Sequence, residues 1–149
     1  MRFFTMDWWV SCQDWESKPD LEGPSRAYTE YVTSIEGRLP PAIGEFRRAI
    51  SLHDGTLLNV TLNSTQQMLM AGVECSNGVV VGLIYLGLDS FEIDAQEPRS
   101  LPGPAKFGDI GYHEFALVED GFAHTWLFSS GIEMTIIAKN FAWDTMQIG

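Results

Sequence analysis

Hydrophobic and polar positions change their spacing about a third of the way along this chain, near Asp54. Before that point apolar residues recur at helical intervals. Trp8, Cys12 and Trp15 fall at i, i+4 and i+7, with Thr5 as a candidate N-cap and Asp7 in the first turn, where the helix dipole favours a negative charge. Tyr28, Tyr31, Val32 and Ile35 mark one face of a second helix that begins at Pro24-Ser25 and stops at Gly37. Ile43, Phe46 and Ile50 mark a third, opened by Pro40-Pro41, with Glu45, Arg47 and Arg48 toward water.

After Asp54 the period falls to two. Leu58, Val60 and Leu62 alternate with Asn59, Thr61 and Asn63, the pattern of a half-buried strand. Residues 67–75 and 79–87 flank Asn77-Gly78, a strong hairpin signal. A two-residue turn there sets Cys75 opposite Val80 and Ala71 opposite Ile84 on a core face. Met68, Met70, Val81, Leu83 and Tyr85 then share the other face, for the helices to cover. Phe91 and Ile93 suggest a short strand. Residues 94–108, with three prolines and two glycines, read as a long loop. Asp120-Gly121 joins two strands whose common face collects His113, Phe115, Leu117, Phe122, His124, Trp126 and Phe128. Ile132, Met134 and Ile136 form a last strand, and Phe141 and Trp143 a closing segment.

This order of elements predicts an α+β fold: N-terminal helices packed on an antiparallel sheet of about six strands, open to strong curling. At 149 residues the chain fits one domain, residues 1–52 helical and 53–149 antiparallel β. Cys12 and Cys75 both sit in apolar patterns and read as small core residues, with a single disulfide as the alternative. No run reaches the about 20 apolar residues needed to span a membrane. The opening MRFFTMDWWV has one Arg, an early Asp7 and no small-residue cleavage site, so the expected address is the cytoplasm.

Charge divides at the same boundary. Residues 1–52 carry six basic and eight acidic side chains, whereas the remainder sets only Arg99, Lys106 and Lys139 against twelve acids. An acidic β half repels nucleic acid and membrane surfaces and suits a basic protein partner. Glu92, Asp94, Glu97 and Asp109 gather around the proline-rich loop, and Glu119 and Asp120 mark a hairpin tip; these six are the candidate binding residues.

Catalytic signatures are weak. There is no G-x-S-x-G elbow, no phosphate-binding glycine loop and no Cys beside a His. A metal site would need three clustered ligands. The expected register sets His124 opposite Leu117, four residues from His113, about 13 Å away, and His113 and Glu114 point to opposite faces. His53-Asp54-Gly55 reads first as a turn and second as an acid–base pair. No metal and no cofactor is therefore expected. A second reading, a small-molecule binder or hydrolase, places His113, Glu114, His124 and Trp126 in a pocket between sheet and helices. A third is a homo-oligomer, because adjacent Trp8 and Trp9 cannot both face one core.

The Tyr-rich helix running into GRLPPAIGEF, the LHDG turn and the late hairpin YHEFALVEDGFAHTWLFSSGIEMTI together resemble small bacterial proteins of uncharacterised function, some of them thought to be immunity partners of secreted toxins. The resemblance covers about half the chain and implies a bacterial cytosolic binding protein, with no catalytic residues to carry over. The leading expectation is a non-enzymatic binding protein whose acidic surface engages a basic protein, as an immunity-type inhibitor would.

Alternation places Trp126 in the core. Trp126→Ala should then cost about 3–5 kcal/mol in urea denaturation, and a loss below about 1 kcal/mol would mean that its face is turned outward.

Overall fold

In the computed structural model, residues 1–95 and 107–146 are described. Three helices precede eight strands: α1 (Met6–Ser11), α2 (Gly23–Ile35), α3 (Pro41–Ala49), then β1 (Thr56–Asn63), β2 (Met68–Glu74), β3 (Val80–Leu86), β4 (Ser90–Asp94), β5 (Ile110–Val118), β6 (Gly121–Phe128), β7 (Glu133–Ala138) and β8 (Asn140–Met146). The α+β class holds, but the strands number eight rather than about six. They form two open four-stranded antiparallel sheets, ordered β1-β2-β3-β8 and β4-β7-β6-β5, in place of one strongly curled sheet.

The strand missing from the sequence reading is β8. Inward positions run Met134, Ile136 and Ala138 in β7, then Phe141 and Trp143 in β8, so the alternation slips by one around Lys139. There the chain leaves β7 in one sheet and pairs with β3 in the other. The two sheets pack face to face over a single core, where Tyr85 of β3 meets Phe122 and His124 of β6, and Phe141 of β8 meets Phe115 of β5.

Both hairpin registers differ from expectation. At Asn77-Gly78 the loop holds three residues, Ser76 to Gly78. The Cys75 amide donates to Val79 O at 2.8 Å, and Gly78 takes φ +83°, the left-handed geometry that closes such loops. Val73 therefore faces Val81, and Ala71 faces Leu83. This one-residue shift turns Val81, Leu83 and Tyr85 into the core, while Met70 and Leu86 are exposed on a face the helices leave uncovered. At the second hairpin the loop is Glu119-Asp120, with Asp120 itself left-handed at φ +62°. Gly121 belongs to β6, because a Cβ there would lie 2.4 Å from Ala138 O of β7. This two-residue shift keeps the predicted face and moves His124 opposite Phe115.

The helices close one open side of the sandwich instead of layering a sheet. Phe46 of α3 wedges between edge strands β5 and β8, touching Phe115, Phe141 and Trp143. α2 lies along β5, whose outward amides would otherwise lack partners. The Phe115 amide donates to the Tyr28 hydroxyl at 2.8 Å and the Leu117 amide to the Tyr31 hydroxyl at 3.2 Å. Further along, β5 pairs with the turn before β1: Asp54 N donates to Ile110 O, and Ile110 N to Gly55 O. Arg48 faces water and pairs with Glu36, whereas Arg47 is half-buried over the Tyr28 ring.

Thr5 caps α1 as expected, accepting from the Trp8 amide at 3.2 Å. The helix ends at Ser11, so Trp15 falls on a following short turn and is 79% exposed instead of sharing the Trp8–Cys12 face. Both cysteines are free; Cys75 is buried and Cys12 partly so. No helix among the described residues is long and apolar enough to cross a membrane.

Tyr28→Phe removes the oxygen that serves the buried Phe115 amide and leaves the packing ring. The expected cost is about 1–3 kcal/mol, with faster hydrogen exchange at the Phe115 amide; unchanged exchange there would mean that the helix does not cap the edge.

Candidate functional site

The six acidic candidates do not form one patch. Glu92 and Asp94 lie exposed on the edge strand β4, on the side facing away from the sandwich interior. Asp109 leads into β5 at the opposite edge of that sheet, half-buried, where its amide and carbonyl bond Ser129. Glu119 and Asp120 are exposed at the other end of the strands. Glu97 lies outside the described residues.

Beside β4 the sandwich is open among the described residues. A groove of about 380 Å³ runs between edge strands β1 and β4, lined among others by Leu58, Val60, Leu62, Phe91, Ile93 and Met134. Leu58, Leu62 and Ile93 are each about half exposed. Leu58 owes its position to a bulge at Leu57–Asn59, which breaks the alternation of β1.

The second set of candidates is divided among three surroundings. Glu114 lies on the outer face of β5, buried beneath the N-terminal segment. Its carboxylate accepts from the backbone amides of Arg2, Phe3 and Phe4 at 2.7–2.9 Å, so it serves structure. His124 and Trp126 are wholly inside the core. His113 is the member that reaches a surface cleft.

The expected 13 Å gap between His113 and His124 does not exist. With His124 opposite Phe115, the two histidines become diagonal neighbours on one face, and His113 Nδ1 lies 2.9 Å from His124 Nε2. His124 Nδ1 in turn lies 2.7 Å from the Tyr85 hydroxyl. Trp126 Nε1, near Tyr85, is the one buried side-chain polar atom among the described residues without a hydrogen-bond partner. We assign the order of the chain from these contacts. Tyr85 O–H donates to His124 Nδ1, and His124 Nε2–H donates to His113 Nδ1. The Tyr85 oxygen then keeps a lone pair free in the region of the unpartnered indole N–H, and His113 keeps its proton on Nε2. The reverse order would set the Tyr85 proton without an acceptor beside a second donor.

Burial holds both rings neutral. It lowers His113 to about 4, with Arg47 and His53 adding positive charge nearby. It also holds His124 well below the ordinary histidine range, with His113 acting in the same direction. Burial likewise raises the Tyr85 hydroxyl well above its usual value, so that it too stays protonated.

The cleft at the end of this chain has a volume of about 320 Å³ and lies between α1, α2 and β5. Phe4, Trp8, Tyr28 and Tyr112 form its aromatic wall, with Phe4 stacked on Tyr112 at 4.7 Å. His53 stands at the rim, its side chain 50% exposed. Its Nδ1–H donates to Gly111 O, and its Nε2 lies 3.7 Å from Asp54 Oδ1. The turn and the His–Asp neighbour pair thus coexist at this position. Gly111 is required because Trp9 packs on it: a Cβ would lie 2.2 Å from the indole. Trp8 and Trp9 both stand edge-on to Tyr112 and are each partly buried. Among the described residues no group of three or more His, Cys, Asp or Glu could hold a metal ion.

A family model described as "Protein of unknown function (DUF4085)" matches residues 5–138. The chain belongs to this family. Its match spans the chain from Thr5 to the end of β7, including the groove and every cleft residue but Phe4. No curated protein matches. Among solved structures, the crystal structure of an uncharacterized protein from Neisseria gonorrhoeae is similar, with 12% identity and a TM-score of 0.45 over 64% of this chain and 95% of that one.

The neutral histidines fix a pH dependence. Between about pH 6.5 and pH 4 the unfolded chain binds a proton at His113 that the folded chain refuses, so stability falls as pH drops through this window and levels off for this group below it. Its size is about 3 kcal/mol, and His124 acts in the same sense. Urea denaturation of His113→Gln should show a flatter decline between pH 7 and pH 4 than the parent chain; equal slopes would refute a neutral His113.

Proposed function

We propose that this protein is a non-enzymatic binding module whose open β1/β4 side docks an extended basic segment of another protein. The observation that carries the reading is the meeting of apolar and acidic groups on one flank of the sandwich, where the edges of the two sheets lie side by side. Leu58, Leu62 and Ile93 expose a groove about the size of a few side chains, and Glu92 and Asp94 stand exposed on the outer face of β4, the strand that supplies Phe91 and Ile93 to it. Apolar centres with charged margins are the anatomy of protein interfaces.

The backbone supports the same reading. β1 and β4 are both edge strands. Natural edges are ordinarily blunted by lysine, proline or inward charges. Apart from the bulge at Leu57–Asn59, β1 has none of these: no charged residue and no proline occurs from Gly55 to Val73. An edge left in this state is suited to pairing with an added strand, whose backbone supplies affinity and whose side chains enter the groove. The net charge of −11 favours a basic partner over an acidic one and raises its rate of encounter. An immunity-type inhibitor of a basic protein is one form such a module takes.

The test is a photo-crosslinking side chain at Leu62 of the full chain, exposed to host lysate at low and high salt. The expected product is a crosslink that salt suppresses and that Glu92→Lys/Asp94→Lys weakens by about tenfold, roughly the loss of one to two favourable charge pairs. Crosslinks insensitive to both salt and charge reversal, or no crosslink, would overturn the assignment.

A further inference from the structure

The aromatic cleft lies on the opposite side of the sandwich from the groove, since β5 and β4 are the two edges of one sheet. We propose that it is a binding site for a neutral planar heterocycle that presents a hydrogen-bond donor and an acceptor along one edge. The proposal is independent of the β1/β4 reading.

Three observations lead to this ligand class. The first is shape. Phe4, Trp8, Tyr28 and Tyr112 wall the cleft with ring faces and edges, and at about 320 Å³ the space stands at the small end of ligand cavities. A flat ring of one or two cycles matches both the volume and the preference of aromatic walls for stacked or edge-on partners.

The second is the hydrogen-bonding complement. His53 spends its Nδ1–H on Gly111 O, so with the ring neutral, Nε2, which lies 3.7 Å from Asp54 Oδ1 and beyond hydrogen-bond distance of it, is an acceptor. His113 spends Nδ1 as an acceptor from His124, and the order of that chain leaves Nε2–H as a donor. One acceptor and one donor, both imidazole nitrogens on residues lining one cleft, complement a ring edge carrying N–H beside C=O or ring N. Ser25 and Ser51 line the same space. The internal chain through His124 to Tyr85 keeps His113 in a single tautomer, so the donor is preset before a ligand arrives.

The third is charge. The chain carries −11 overall, which disfavours an anionic ligand. Arg47 lies near enough to His113 to oppose its protonation, which disfavours a cation at that end. A neutral ring is the class that meets neither barrier.

The experiment uses the full chain with adenine and hypoxanthine as neutral heterocyclic probes, and toluene as a ring without donor or acceptor, read by ligand-observed saturation-transfer NMR. The expected result is saturable binding of at least one heterocycle and at least tenfold weaker binding of toluene. His53→Phe should lower heterocycle affinity about tenfold while keeping the ring contact with Tyr112, one hydrogen bond being lost. Ser25→Trp should abolish binding by filling the mouth of the cleft from an exposed helix position. Trp15→Phe, at a solvent-facing site outside the cleft, should change nothing. Unaltered melting temperatures would exclude unfolding as the cause in each variant. Absence of saturable binding by both heterocycles, equal affinity for toluene, or undiminished binding in both His53→Phe and Ser25→Trp would overturn the proposal.

Discussion

Two sheets packed face to face bury their inner side chains but leave two open flanks, each bordered by strand edges with unspent hydrogen-bonding groups. How those flanks are treated organises this molecule. One is finished by the helices. The Tyr28 and Tyr31 hydroxyls accept the β5 amides that a further strand would have taken, and Phe46 fills the space behind them. Tyrosine suits this task because its ring fills volume while its hydroxyl reaches a backbone group. The other flank, between β1 and β4, lacks such a cover among the described residues and retains exposed leucines and isoleucine. The asymmetry between a finished and an unfinished side separates the two functional proposals in space.

The polar chain inside the core follows from the same packing. Tyr85 comes from one sheet and His124 from the other, so their hydrogen bond ties the layers together in a region otherwise filled by Phe115, Phe122 and Phe141. A buried donor or acceptor without a partner is costly, and a satisfied network specifies one relative placement of the layers. His113 extends this network to the cleft, where the interior arrangement sets the chemistry offered to solvent.

Much of this architecture can be read from residue spacing, and the exceptions have particular causes. The periodicity of Tyr28, Val32, Ile35, Ile43 and Phe46 is packing periodicity, and each of these side chains is buried. The face carrying Phe115, Phe122, His124, Trp126 and Phe128 is likewise buried, because an even register shift preserves it. The odd shift at Asn77-Gly78 did reverse a face. There the local signal names a hairpin, while the count of loop residues depends on which residue takes the left-handed position. Gly121 was ambiguous in a different way: it resembles a turn glycine but answers to the close approach of β7. The contact between His113 and His124 was hidden for this reason, since a two-residue error in register is worth about 7 Å along a strand. The division into two sheets was signalled only by the slip in alternation at Lys139. The role of Glu114 had no sequence signal, because its partners are backbone amides more than a hundred residues away.

That last contact bears on how the chain assembles. Phe4 is joined to Glu114 across a separation of 110 residues, and the loop it closes encloses both hairpins of the first sheet. Closing so large a loop carries an entropic cost that short-range contacts do not, and non-local contacts of this kind slow folding. The strap formed by residues 1–4 therefore has no docking surface until β5 is in place, although it precedes every helix in the chain. A segment read early but seated late acts as a latch on the completed fold, and the carboxylate of Glu114 is the catch.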